Sequence, residues 1–448
     1  MSSDRASWAS RLGFVFAAVG SAVGLGNIWQ FPFQTGQNGG AAFIVVYLAV
    51  VVGIGFPAML AEFVLGRAGQ ANSVDAFERV AGGGRWRIAG AVAAVGAFWI
   101  LSFYSVVGGW VIRYTVGSLR GVYFDAPASF FADVVSTGPD AVAFHVLFMA
   151  IVVVVVAAGV EGGIERSTKV MVPTIVLLLG GLAAWATTLD GVTAAYSYYL
   201  SPDLTTVRTN LATILPSAVG QAFFTLSLGM GAMLTYASYL GDDDSLPVDG
   251  GVIVVLNTLV GLLAGLVIFP VLFSLGIEPG GGGAGTAFVT LGGAFARLPA
   301  GRLLGTVFFF VLLLAAVSSA ISLLEVVVSV GVENTTADRP TVAVAVGAGC
   351  AILGVPSAFG YLGWFNAVAY NLLLPVAVLL LVVYVGWVFG DGAARELRRG
   401  TRLPAAVATA WLWFVRVVVP AGIGLTLVLG LQSLALRAGL LSEAIVLG

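Results

Sequence analysis

Apolar residues run through this chain in long blocks separated by short polar stretches. Blocks long enough to cross a bilayer fall at about 12–35, 40–66, 87–118, 141–160, 167–188, 212–240, 248–277, 302–332, 341–356, 360–389 and 404–436. Each is near or above the length a hydrocarbon core requires, so the pattern predicts eleven transmembrane helices, the ninth being the shortest. The first block, RLGFVFAAVGSAVGLGNIWQFPFQ from Arg11 to Gln34, carries Gly20, Gly24 and Gly26, then Asn27 and Pro32. A glycine costs about 1 kcal/mol of helix propensity relative to alanine. Unwound backbone at membrane depth is tolerated only where it lines a protein-enclosed cavity. The block is therefore expected to be a broken helix whose free carbonyls and amides bind something, in preference to a glycine-lined packing seam. Block six is interrupted in the same way, by Ser227, Gly229 and Gly231, with Gln221 and Thr225 just before the break.

Two broken helices at corresponding places in two halves point to the binding site of an inverted-repeat transporter. The expected organisation is one membrane domain over 1–448, with a first repeat at 12–188, a second at 212–389 and an added helix at 404–436. Five spans per repeat, an odd number, would invert the second repeat relative to the first.

Composition agrees. The chain has 448 residues, 59% hydrophobic and only 9% charged, more apolar surface than a water-soluble domain can hide. The first span lacks a small-residue cleavage site after a short apolar run, so no removed signal peptide is expected. One cysteine, Cys350, excludes an internal disulfide, and a single histidine, His145, argues against a histidine metal centre. No basic cluster with interleaved aromatics exists, so nucleic-acid binding is not expected. The chain's surroundings are the lipid bilayer, and it is expected to act as a monomer or weak homodimer.

Orientation follows from Lys and Arg placement. With the N-terminus cytoplasmic and the C-terminus extracellular, thirteen basic residues fall on the cytoplasmic side and six outside. A plasma (cell) membrane location is expected. Residues 119–140 and 189–211 form polar outer loops, and 278–301 (EPGGGGAG and an apolar stretch) predicts short helices dipping back as a lid.

Polar groups deep in the spans each need an explanation. Asn27, Thr225 and Asn257 are neutral oxygen donors on spans one, six and seven, and Ser318 and Ser319 are adjacent hydroxyls on span eight. Neutral oxygens suit a monovalent hard cation, whereas calcium would want several carboxylates. The bland alternative for each hydroxyl is a back-bond to its own helix. Glu62 and Glu325 could carry protons or ligate an ion, but are expected instead to be buried structural carboxylates accepting amides from a broken neighbouring helix. Tyr104, taken alone, is an ordinary packed tyrosine.

The motifs WASRLGFVFAAVGSAVGLGNIWQFPF, NGGAAF, GIERSTKVMVP, GQAFFTLSLGMGAMLTYASY and SSAISLLE resemble, in order, those of the neurotransmitter:sodium symporter family, in its prokaryotic amino-acid-transporting branch with the leucine-transporter fold. The resemblance implies a sodium-coupled importer with two sodium sites. The first would use Ala22, Asn27, Thr225 and Asn257, completed by the substrate carboxylate. The second would use the carbonyls of Gly20, Val23 and Ala315 with the hydroxyls of Ser318 and Ser319. The substrate carboxylate would meet the amides around Leu25 and Gly26 and the Tyr104 hydroxyl. Its ammonium would meet carbonyls near Ala22, Phe223 and Thr225, and the Ser227 hydroxyl. Ile100, Phe224, Met230, Ser319 and Leu323 would line the side-chain pocket, with Phe224 as outer lid. Monoamine-transporting relatives place an aspartate at the position of Gly24. A glycine there implies a substrate with its own carboxylate, hence an amino acid, and the apolar lining implies a hydrophobic or aromatic one.

Three positions differ from or qualify the family pattern. The family's outer Arg–Asp gate is matched by the neutral pair Gln30 and Asn366. The inner pair is kept as Arg5 and Glu333, supported by Trp8, Ser238 and Tyr239. Tyr47, Gln221 and Thr225 match three chloride ligands, but Gly261 replaces the residue that separates chloride-dependent from chloride-independent members. That leaves chloride dependence open, with the branch resemblance favouring independence. Alternatives are a proton-coupled amino-acid transporter of the same fold and a non-transporting amino-acid sensor. An enzyme is not expected, because no nucleophile–base pair appears in the spans.

Overall fold

The computed structural model describes residues 7–81, 83–136, 138–280 and 284–441, with side chains between 284 and 287 set aside. All regular structure among the described residues is helical. Eight helices are long and apolar enough to cross a membrane: Ala41–Gly69, Gly84–Arg120, Pro139–Ala157, Val160–Ala186, Leu246–Ser274, Gly301–Asn334, Arg339–Phe389 and Ala405–Arg437. A ninth forms if the bent pair Arg11–Ala22 and Gly26–Gln37 counts as one span. The 51-residue stretch Arg339–Phe389 loses helical geometry at Phe359 and Gly360, where Gly360 takes φ 99°. That break falls between the predicted blocks 341–356 and 360–389.

The first helix starts where Ser10 accepts a hydrogen bond from the Gly13 amide, satisfying one of its orphan donors. It ends at Val23, whose extended backbone takes its carbonyl out of the helical ladder. Chain direction then changes by 51° before Gly26–Gln37 resumes. In the sixth block, Leu204–Thr225 is capped by Asp203 and stops before residues 226–231, and the short helix Ala232–Ala237 follows. Within that gap Ser227, Gly229 and Gly231 all take positive φ, at 53°, 76° and 72°. For the serine this is a strained conformation that only surrounding contacts can hold.

Those contacts come from the other break. Ser227 Oγ donates to the Ser21 carbonyl at 2.9 Å, and Gln221 Nε2 donates to the Gly26 carbonyl at 2.8 Å. Glu62 supplies the rest, accepting from Gly229 N at 2.8 Å and Leu234 N at 3.3 Å. A buried carboxylate thus replaces the helical acceptors that these amides have lost, as the sequence led us to expect. Glu325 behaves differently: its partners are Arg339 and the Tyr239 hydroxyl, not backbone amides.

Gly301–Asn334 packs along Gly84–Arg120 and occupies the centre, with 78% of its apolar window buried, against 22% for the peripheral Ala405–Arg437. Ala284–Arg297, one helix where several short ones were expected, covers this core from the 278–301 loop. Its Phe288 packs on Trp29 and Tyr114, with ring centroids 5.4 and 5.2 Å apart.

Candidate substrate and ion site

Where the two breaks face each other they leave a small cavity of about 10 Å³, room for about one water. Its walls are Ala22, Gly24, Leu25, Gly26, Ile100, Tyr104, Phe224, Met230, Ser319 and Leu323. The glycines are required by space. A Cβ on Gly24 would lie 3.1 Å from both the Ser319 side chain and the Tyr104 hydroxyl, and one on Gly26 would overlap the Phe224 ring at 2.6 Å. Tyr104 Oη accepts from the Leu25 amide at 3.3 Å, so a phenol and a backbone amide outside the helical ladder meet in the same corner. Tyr104 is therefore more than an ordinary packed tyrosine.

Phe223 was expected at the substrate through its carbonyl and Ser227 through its hydroxyl, and neither residue is among those walls. Phe223 lines a separate cavity with Pro216 and Tyr370, and the Ser227 hydroxyl is committed to the Ser21 carbonyl. Above the enclosed cavity lies a larger one, about 220 Å³, that shares Leu25, Tyr104 and Phe224 with it. Phe224 is thus part of the partition between the two. Gln30 and Asn366 both line this upper space, but no hydrogen bond joins them. Gln30 instead lies near the buried Tyr370 hydroxyl, which makes no hydrogen bond among the described residues.

Beside the enclosed cavity, a chain of hydrogen bonds fixes three side-chain orientations. Gly24 N donates to Asn27 Oδ1 at 3.2 Å, which turns Asn27 Nδ2 toward Asn257. That nitrogen lies 2.8 Å from the terminal atom of Asn257, which must then be an acceptor, its oxygen. The same atom is 3.0 Å from the Thr225 carbonyl oxygen and 3.1 Å from that of Ala22. Turning the Asn257 amide over would satisfy both carbonyls but would set two donors against each other at Asn27. Three buried oxygens therefore converge with no hydrogen between them, which is repulsive unless a cation lies among them. Thr225 contributes its carbonyl, since its hydroxyl donates to the Gln221 carbonyl at 2.8 Å.

On span eight, Ser318 Oγ donates to the Gly20 carbonyl at 2.7 Å. Ala315, one turn earlier on that helix, is fully buried, and Val23 lies at the end of the first helix. Ser319 is turned toward Gly24 and Tyr104. Of the five groups expected at a second ion site, the structure brings Gly20 and Ser318 together and places Ser319 at the pocket wall. At the matched chloride position, Tyr47 donates to Thr225 Oγ1 at 3.0 Å, and Gln221 Nε2 is held by Gly26. Their donors are engaged internally. Gly261 leaves room for the Phe31 ring, 3.4 Å from where its Cβ would be.

On the opposite side the protein is tied shut. Trp8 Nε1 donates to the Tyr236 carbonyl at 2.9 Å, and Arg11 pairs with Asp249 at 2.6 Å. Glu165 accepts from the Ala9 amide and the Ser10 hydroxyl, both at 2.9 Å. Neither Asp249 nor Glu165 stood out in the sequence. Of the expected gate, Arg5 lies outside the described residues. Glu333 accepts from Asn72 N and Nδ2, Ser238 donates to Thr235, and Tyr239 donates to Glu325.

These features have counterparts in known proteins. Residues 5–125 and 132–434 match the sodium:neurotransmitter symporter family. The chain is 36% identical over 437 residues to the uncharacterized sodium-dependent transporter YhdH of Bacillus subtilis, covering 93% of this chain and 95% of that one. It is 34% identical to the uncharacterized sodium-dependent transporter MJ1319 of Methanocaldococcus jannaschii, covering 88% and 84%. Among solved structures, that of MhsT in complex with L-phenylalanine superposes with a TM-score of 0.85 at 37% identity, covering 95% of this chain and 99% of that one. The chain belongs to the sodium:neurotransmitter symporter family, a family of sodium-dependent transporters and not of enzymes.

Proposed function

We propose that this protein is a secondary symporter that imports a hydrophobic or aromatic amino acid with sodium, by alternating access. The observation that carries this is the convergence of the Ala22, Thr225 and Asn257 oxygens beside the enclosed cavity. A sodium ion among them relieves their repulsion and presents a positive charge to a carboxylate held by the Leu25 amide and Tyr104. Sodium and substrate then stabilise each other's binding. A second sodium at Gly20, Val23, Ala315, Ser318 and Ser319 would hold the first helix against span eight. The substrate's ammonium would sit at the carbonyls of Ala22, Phe223 and Thr225.

Gly24 brings no carboxylate into the pocket, so the substrate supplies its own. Ile100, Phe224, Met230 and Leu323 favour an apolar side chain, and MhsT, the solved neighbour, is seen with L-phenylalanine. With the inner side tied and an open space above Phe224, the structure fits an outward-facing state with Phe224 as lid. Sodium drives transport because it binds the outward state more tightly than the inward one. Counting the break at Phe359–Gly360 and the interrupted sixth block, the spans number eleven, as two inverted repeats of five and one extra helix. The N-terminus would be cytoplasmic and the membrane the plasma membrane. The engaged donors at Tyr47, Gln221 and Thr225 favour chloride independence.

The test is a screen of the twenty amino acids by thermal stabilisation of the purified protein, with sodium and with potassium. Apolar amino acids should raise the melting temperature only with sodium, because a ligand that binds the folded state stabilises it by mass action. Stabilisation that is equal in potassium would overturn the sodium coupling.

A further inference from the structure

Most basic residues among the described ones sit near helix ends or in loops. Arg416 stands roughly a third of the way along the Ala405–Arg437 helix. Its guanidinium lies between the Trp387 and Trp413 rings, 5.6 and 5.2 Å from their centroids, and its Nε donates to the Gly386 carbonyl at 2.7 Å. Both tryptophans are more than half exposed on the outer surface of the bundle. Amphipathic aromatic rings settle at the level of the lipid headgroups, so these two set the depth of this corner in the bilayer.

Next to Arg416 is the short helix Asp391–Arg398, whose first residue pairs with it at 3.7 Å. One face of that helix is clamped. Ala393, Glu396 and Leu397 are buried, and Glu396 pairs with the fully buried Arg67 at 2.7 Å. The other face carries Arg395 and Arg398, and Arg402 follows in the next turn, all exposed. Arg399 is neutralised by Asp242 and Glu396, at 3.0 and 3.4 Å. Arg395, Arg398 and Arg402 have no carboxylate partner among the described residues. The result is a rigidly mounted ridge of three uncompensated guanidinium groups at headgroup depth, beside an aromatic anchor.

We propose that this ridge docks the phosphodiester headgroups of anionic phospholipids. Guanidinium forks match phosphate oxygens in bidentate geometry, and basic side chains at a membrane surface attract anionic lipid. A merely solvated basic face would need neither the clamp nor the tryptophan pair. Because Gly400 packs on the main chain of Asp243 and Asp244, and Arg67 donates to the Asp244 carbonyl, the ridge is joined to the loop that follows the sixth block. Lipid bound here therefore steadies a loop next to the inner half of the transport path.

The full-length protein is reconstituted into nanodiscs of phosphatidylcholine alone or with phosphatidylglycerol, and its melting temperature is measured. Phosphatidylglycerol should raise that temperature by several degrees. In Arg395→Gln/Arg402→Gln at least half of the gain should be lost, with no change in pure phosphatidylcholine. The equally charge-reduced Arg85→Gln/Arg166→Gln, altered at exposed arginines elsewhere, should keep the full gain. If the double variant does not fold, Arg402→Gln alone should show a smaller loss in the same direction. An equal loss in both double variants, or an unchanged gain in Arg395→Gln/Arg402→Gln, would overturn the proposal. So would inorganic phosphate reproducing the gain in phosphatidylcholine discs.

Discussion

The side-chain oxygen of Asn257 lies 3.1 Å from the main-chain oxygen of Ala22, with no proton to separate them. Removing the Asn257 oxygen should weaken sodium binding by about tenfold, equivalent to ~1.4 kcal/mol. Sodium titration of the melting temperature in Asn257→Ala checks this, and amino-acid affinity should fall with it. A sodium midpoint unchanged from the parent would exclude these oxygens as the ion site.

Gly24 and Gly26 should respond differently to one added methyl. In Gly24→Ala the new Cβ meets Ser319 and Tyr104 at 3.1 Å, inside the cavity, so the variant should favour smaller substrates. In Gly26→Ala it strikes the Phe224 ring at 2.6 Å, so the lid must move whatever the substrate. Binding of large and small apolar amino acids should therefore weaken together. Competition binding with a size series separates the two outcomes.

Glu62 holds two amides that no helix satisfies. Glu62→Ala leaves them unpaired in the interior, a loss of about 3 kcal/mol, and should lower the melting temperature in detergent. Glu62→Gln keeps one acceptor oxygen and should be milder. If Glu62→Ala melted with the parent, the second break would not depend on this carboxylate.

Most of the helices and both breaks were legible in the sequence, because glycine clusters inside apolar blocks have few other physical explanations; the cavity wall was expected only through the family resemblance. Partnerships between distant residues were not. Nothing near Ser227 indicates that its hydroxyl turns to the Ser21 carbonyl, and nothing near Thr225 indicates that its hydroxyl is spent on Gln221. Arg67 and Glu396 are 329 positions apart and meet only once the helices are assembled. A residue type at a motif position predicts where a group sits better than which of its atoms is used.

Gln30 and Asn366 carry no charge, so closure of the outer side should depend little on ionic strength, since screening acts on charges. Gln30→Ala should loosen closure through its contact with Tyr370 and the upper cavity. Substrate dissociation rates at low and high concentrations of an inert salt, in parent and variant, provide the check. A steep salt effect abolished by Gln30→Ala would contradict a neutral gate.

Asp75 lies in a loop helix outside the spans. Partial burial would raise its carboxyl, but hydrogen bonds from Asn72 and Asn334 and the charges of Arg87 and Arg79 outweigh this and hold its pKa below the usual value. A depressed folded-state pKa stabilises the protein above about pH 4, the unfolded value, and the gain disappears as pH falls through the folded one. The melting difference between parent and Asp75→Asn should be largest near neutral pH and shrink toward acid. A difference that grew on acidification would reverse the sign of this account.

The central claim is coupled movement of sodium and amino acid, and uptake into proteoliposomes measures it most directly. Radiolabelled phenylalanine should accumulate when sodium is higher outside than inside, and unlabelled phenylalanine trapped within should accelerate its entry by exchange. Equal accumulation with potassium replacing sodium would contradict sodium coupling, and binding with no uptake or exchange would contradict transport.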